Sequence, residues 1–173
     1  FDSVGGGSIL DSARIAAFQV ISILTTTGFA TADFEHWAGA ALLCMLLLMF
    51  VGGMSGSTSG GFKIVRHLLI LKTWTRDLFF LSHPRGLRPV RLGARVVPPD
   101  IIRAVSAFAG AYFTIFVVGM IAFCLDGQDL MTAFSCSAAS LGNVGPGHGA
   151  IGPYDHFEHL TTFSKWLSSF LML

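Results

Sequence analysis

Charge is what this sequence has least of. Only 12% of its 173 residues are Asp, Glu, Lys or Arg, against about a quarter in an ordinary soluble domain. With 53% hydrophobic residues and a mean hydropathy of +0.67, too few groups remain to face water, and a lipid-embedded chain is the first reading. Cysteine is also scarce. Cys44, Cys124 and Cys136 lie far apart in apolar runs without C-x-x-C spacing, so they read as small buried hydrophobes rather than a disulfide frame or metal site. The Gly-rich Phe1 to Asp11 is not a basic-then-apolar leader. A starting Met is missing and the chain ends inside an apolar run at Leu173, as a segment of a longer protein would. No Ser-His-Asp arrangement has supporting context, and the carboxylates sit in separate loops. Neither an enzyme nor a cofactor is called for.

Basic residues are nearly absent outside one block. Lys63 to Arg103 holds nine of the eleven, opposed only by Asp77 and Asp100, while Arg14 and Lys165 face eight acidic residues elsewhere. Nucleic acid is one reading of such a block, but hydrophobic spans flank it on both sides. A cytoplasmic loop obeying the positive-inside tendency fits better, with Arg85, Arg88, Arg91 and Arg95 meeting anionic lipid or a cytosolic partner.

What is present is apolar length. Trp37 to Phe62 is 26 residues without a charge and Ala104 to Leu125 is 22, where about 20 helical residues cross a hydrocarbon core. A third candidate begins near His156 and runs to the end, with Lys165 as its only charge beyond Glu158 near the start. Sixteen phenylalanines and twenty glycines suit membrane helices. Two further apolar stretches, Ile15 to Leu24 and Leu130 to Gly142, are too short to span. If the basic block is cytoplasmic, both begin and end on the outer side, so each must dip in and return. Such re-entrant backbone is tolerated only where protein or a water-filled cavity shelters it.

The order of parts repeats. Moving 117 positions along the chain carries Ala16 onto Ala133 and Thr26-Thr27-Gly28 onto Asn143-Val144-Gly145. In each case a short helix leads to an extended turn with a glycine and then to a long span. A short helix entering from outside points its carbonyl end at the membrane centre, leaving about half a negative charge there. The backbone climbing back out can line up carbonyl oxygens in place of an ion's water shell. Gly28 and Gly145 supply the dihedral freedom such a turn needs. Uncharged carbonyls suit a large monovalent cation better than a divalent one, which usually demands carboxylates.

Half of the ten residues Gly52 to Gly61, GGMSGSTSGG, are glycine. A flexible linker is the ordinary meaning of such a run, but a linker would not sit in mid-span. A phosphate loop fails on pattern, because Phe62 rather than glycine precedes Lys63 and no Ser or Thr follows it. A break in the span, lining the cavity below the turns, remains, with a merely kinked helix beside it.

TTTGF at Thr25 to Phe29 and LGNVGPG at Leu141 to Gly147 resemble two filter segments of the Trk/Ktr/HKT superfamily of K⁺ transporters, most of all the membrane subunit of bacterial Trk systems. The resemblance covers the chain from Ile15 onward. It implies an all-α integral membrane fold of repeated helix–pore loop–helix units around a central pore, of which the last two appear here. The third unit, 1–72, would hold a pore helix at about 11–24, a filter at 25–29 and a broken helix at about 37–72. A basic cytoplasmic loop, 73–103, would follow. The fourth unit, 104–173, would hold a helix at about 100–125, a pore helix at about 129–140, a filter at 141–147 and a last helix from about 156. By the same resemblance the ion-facing carbonyls belong to Thr26, Thr27, Gly28, Asn143, Val144 and Gly145, with K⁺ as the transported ion. Gly52, Gly53, Ser55, Gly56, Ser57, Thr58, Ser59, Gly60 and Gly61 would form an intramembrane gating loop. Cytosolic nucleotide-binding regulatory subunits, a homodimer and a multi-pass position in the bacterial cytoplasmic membrane are also implied. Pro146 departs from the usual K⁺-channel pattern and implies a less rigid fourth filter. The alternative class is a non-conducting membrane scaffold or sensor, with a soluble helical enzyme behind it.

Three weaker signals have bland readings. DHFEH, Asp155 to His159, is an outer loop entering a helix as readily as a metal site. His148 reads as an exposed loop residue. Lys165 lies close enough to its helix start to snorkel outward.

Overall fold

The computed structural model describes residues 9–83, 86, 88–155 and 157–173. Its longest helix, α4 (Pro99–Leu125), has 27 residues and at about 1.5 Å per residue is longer than a hydrocarbon core. Pro98 and Pro99 set its start, since proline fits the first helical turn but not the interior. Tyr112, Phe116, Gly119 and Phe123 are buried on one face, at the spacing that brings side chains to a common stripe. Phe113, Ile115, Val118 and Ile121 stay exposed on the others. Among the described residues this is the one helix long and apolar enough to cross a membrane.

Against α4 packs α5 (Leu130–Gly142), which is buried along nearly its whole length. Asp129 caps its start by accepting the Met131 N–H at 3.2 Å. The run Ser135-Cys136-Ser137-Ala138-Ala139-Ser140 is buried throughout, and its small side chains let neighbouring backbones approach closely. Ser137 Oγ donates to the Phe116 carbonyl at 2.8 Å, and a Cβ added at Gly119 would lie 2.8 Å from Ser137 Oγ. Around this pair gather α1 (Ile9–Leu24), the ten-residue α2 (Gly39–Leu48) and α6 (Thr162–Leu171). Ile23, Phe34, Met45, Met49, Phe123 and Ile151 close the core they share.

The uncharged stretch from Trp37 to Phe62 is not one helix. α2 stops at Leu48, and the chain turns through β1 (Val51–Gly52), the Gly/Ser loop and β2 (Phe62–Lys63), which pairs in parallel with β1. Glycine weakens a helix and frees its backbone groups; here the short pairing joins the two ends of the stretch, and the Gly53 and Gly60 N–H groups find side-chain acceptors. α3 (Ile64–Ser82) then runs ten residues into the stretch read as basic loop. That loop narrows to a small hairpin, β3 (Arg91–Leu92) and β4 (Arg95–Val96). Val90, Val97 and Ile102 seat it on Leu69 of α3 in a second, smaller apolar cluster. The last helix begins at Thr162, later than the sequence suggested, after a single turn of tighter helix at Phe157–His159.

Candidate functional site

Both short helices end in the same way. Beyond Leu24 the chain turns left-handed at Thr26 (φ 54°) and again at Gly28 (φ +75°); beyond Gly142 it does so at Asn143 (φ 58°) and Gly145 (φ +101°). The hydrogen bonds repeat at the same 117-residue offset. Thr26 N–H donates to the Ile23 carbonyl and Asn143 N–H to that of Ser140, each at 3.0 Å. Thr27 N–H donates to the Ser22 carbonyl and Val144 N–H to that of Ala139, each at 2.9 Å. A β-branched residue at positive φ is unusual and marks a conformation imposed by its surroundings. Thr26 is such a residue.

Polar side chains inside the short helices hold the returning backbone. On α1, buried Ser22 donates its hydroxyl to the Phe29 carbonyl at 2.7 Å, and buried Gln19 donates to that of Ala32 at 2.7 Å. On α5, Ser135 Oγ donates to the His148 carbonyl at 2.6 Å and accepts the His148 N–H at 3.0 Å. Thr132 Oγ1 accepts the Ala150 N–H at 3.3 Å. Sequence reasoning missed all four. The available signal was a pair of polar residues three apart on one face of an otherwise apolar helix, Gln19/Ser22 and Thr132/Ser135.

The two turns touch. The space a side chain at Gly28 would need is filled by the Val144 carbonyl oxygen, with Pro146 Cδ at 3.0 Å. The corresponding direction at Gly145 is open. The Gly/Ser loop meets both turns: Gly60 N–H donates to Thr26 Oγ1 at 3.2 Å, and a Cβ at Gly60 would lie 2.6 Å from the Gly142 carbonyl oxygen. The loop is also closed on itself. Gly53 N–H donates to Ser59 Oγ at 2.9 Å, Ser57 and Ser59 share a hydroxyl contact at 2.9 Å, and Lys63 Nζ donates to the Ser57 carbonyl at 2.7 Å. Ser55, Gly56 and Thr58 are exposed at its tip, whereas Gly52 is buried and Gly61 half-buried.

The arginines lie elsewhere. Arg88 stacks over Phe79, its guanidinium carbon 5.3 Å from the ring centroid, and Arg91 and Arg95 are exposed on the hairpin. Lys72 Nζ fixes that hairpin by donating to the Arg91 carbonyl at 2.7 Å. Arg85, read as part of the same patch, is outside the described residues. His148 is not an exposed loop residue: its side chain is 19% exposed and lies against Glu35. Cys44 is exposed on α2 rather than buried, because its helix presents apolar side chains outward. Lys165 Nζ reaches back past the start of its helix to donate to the Glu158 carbonyl at 2.9 Å. Asp126, just past the end of α4, accepts from two side chains at the start of α6. Hydrogen bonds from the Ser164 hydroxyl, at 2.5 Å, and then from Thr161 lower its pKa below the ordinary carboxylate value.

Residues 4–173 match the family model described as TrkH, cation transport protein. The chain belongs to the TrkH family. It is 40% identical over 164 residues to the Trk system potassium uptake protein TrkH of Halomonas elongata, covering 95% of this chain and 34% of that protein. The TrkH of Salmonella typhimurium is 38% identical over 160 residues, covering 92% and 33%. The crystal structure of the potassium transporter TrkH from Vibrio parahaemolyticus superposes with a TM-score of 0.88 at 36% identity, over 99% of this chain and 36% of that one. The chain thus spans about a third of the length of these TrkH relatives. Their names describe transport and not catalysis.

Proposed function

We propose that this chain forms two of the repeated units around a potassium-conducting pore in the bacterial cytoplasmic membrane. The observation that carries the reading is the contact between two matching left-handed turns, Gly28 against the Val144 carbonyl, each at the carbonyl end of a short helix. Carbonyls of Thr26, Thr27, Gly28, Asn143, Val144 and Gly145 would replace the hydration shell of K⁺. The negative ends of α1 and α5 would favour the cation electrostatically. Uptake then runs inward down the membrane potential, worth about 2.3 kcal/mol per charge per 100 mV, and needs no chemistry in this chain.

The Gly/Ser loop acts as the gate. Its hydrogen bond to Thr26 and its packing on Gly142 put it against both turns, and its small residues would let it leave a narrow passage. The exposed Arg88, Arg91 and Arg95 mark the cytoplasmic side, where anionic lipid and nucleotide-binding regulatory subunits would dock, with a homodimer as the working assembly. Reconstituting the complete protein in liposomes tests this. K⁺- or Rb⁺-dependent flux is expected, and a scaffold or sensor would give none. Replacing Gly56 to Gly60 with a shorter segment is expected to raise flux and weaken its regulation; unchanged flux would remove the gate.

A further inference from the structure

One side chain ties the two turns together. Glu35 follows the first turn in a fixed setting: Asp33 Oδ1 accepts its N–H at 2.9 Å, and the neighbouring Phe34 is only 1% exposed. Its own side chain is 20% exposed and reaches across to the second half of the chain. There Oε1 accepts the Gly149 N–H at 2.6 Å and lies 3.2 Å from His148 Nδ1. A carboxylate accepting a backbone N–H at this distance is among the stronger hydrogen bonds a protein makes. The carboxyl group also fills the space beside Gly152, where an added Cβ would sit 2.7 Å from Glu35 Cδ and 3.0 Å from Asp155 Oδ2.

Gly149 belongs to a tight turn that directly follows Asn143-Val144-Gly145-Pro146. The Gly147 N–H closes it on the Ile151 carbonyl at 2.7 Å. Ser135 and Thr132 anchor one flank of this turn to α5, and Glu35 anchors the other flank to the partner repeat. The spacing of the two carbonyl-bearing turns is therefore held from outside as well as by the direct Gly28–Val144 contact.

We propose that Glu35 is a positioning residue for ion discrimination: its carboxylate holds the Gly147–Ile151 turn and so sets the separation between the two filter segments. It acts through Gly149 and does not touch the ion. This rests on the conduction reading above, and the experiment separates the two. Rb⁺ uptake and its inhibition by K⁺ and by Na⁺ are measured on the reconstituted complete protein as wild type, E35A, E35Q and G152A. Glutamine keeps an oxygen acceptor for Gly149 N–H, so E35Q is expected to retain the wild-type K⁺/Na⁺ ratio within about twofold. E35A loses the acceptor and G152A displaces it; both are expected to lower the ratio by about fivefold, the factor carried by one net hydrogen bond. A purely structural role would lower the amount of inserted protein without moving the ratio. An unchanged ratio in E35A, or E35Q falling as far as E35A, overturns the proposal. Should E35A fail to insert, G152A decides on the same ratio. Absence of K⁺-dependent flux in the wild type overturns the conduction reading instead.

Discussion

Gly28 and Gly145 stand at equivalent places in the repeat, yet substituting them asks two different questions of the molecule. At Gly145 an alanine meets only the strain of a positive φ, about 1–3 kcal/mol, because the space beside it is open. At Gly28 the same strain comes with a methyl group pressed onto the Val144 carbonyl and the Pro146 ring, neither of which can yield without moving the second turn. Gly28→Ala is therefore expected to abolish K⁺ selectivity, and Gly145→Ala to weaken it while leaving the thermal midpoint closer to wild type. Equal effects of both on Rb⁺/Na⁺ competition would show that the contact between the turns is incidental. Thr26 poses a third question, because its hydroxyl accepts from Gly60 of the Gly/Ser loop. Thr26→Val keeps the shape and removes the acceptor. If that bond helps hold the gate shut, the open population is expected to rise about fivefold, the equivalent of about 1 kcal/mol. Thr27→Val serves as the control, since the Thr27 hydroxyl contacts that of Thr25, and flux alike in both variants would discard the tether.

Elements show where sequence reading succeeds and where it stops. The break in the middle span was legible because glycine acts locally, and Gly52 to Gly61 interrupts any helix whatever surrounds it. The left-handed turns were legible only at their glycines; Thr26 and Asn143 take positive φ because hydrogen bonds to Ile23 and Ser140 hold them there. Residues 73–82 were read as loop because charge reports the side of the membrane and says nothing of conformation; in the fold they continue α3. The Asp126 strut had no local signature at all. Its partners Thr161 and Ser164 are 35 and 38 residues away, and no spacing rule joins an acidic residue after one helix to the first turn of another. This strut fixes the end of α4 to the start of α6, and its pH dependence has a definite sign. The carboxylate's pKa is lowered in the fold, so the strut stabilises fully above the unfolded value of about 3.9. That stabilisation is lost as pH falls through the lower folded value. Asp126→Asn removes the titration. Thermal midpoints of wild type and variant in detergent are expected to differ at neutral pH and to converge under acid conditions, and a gap independent of pH would rule the strut out.

At the scale of the whole molecule, the proposed position in the membrane rests on charge distribution and on the one helix among the described residues long and apolar enough to span it. α4 joins the basic hairpin at one end to Asp126 and Asp129 at the other, so in the proposed arrangement, with α4 crossing the membrane, its two ends lie on opposite faces. Orientation follows if the arginines of the hairpin stay in the cytoplasm. The loop carrying Glu35 and the loop carrying His148 and Tyr154 then face outward, together with the carbonyl-bearing turns through which an ion would enter. Two exposed positions report the faces without disturbing the core: Ala94 at the tip of the hairpin, and Tyr154, which is 60% exposed. Introduced singly as Ala94→Cys and Tyr154→Cys, with Cys44 replaced by serine because it is exposed, they can be probed with a membrane-impermeant thiol reagent. Tyr154→Cys is expected to react in intact cells, and Ala94→Cys only after permeabilisation. The reverse pattern would turn the chain over. Both turns would then face the cytosol, and uptake would begin at the gate instead of at the filter, which inverts the order of steps on which the proposed mechanism depends.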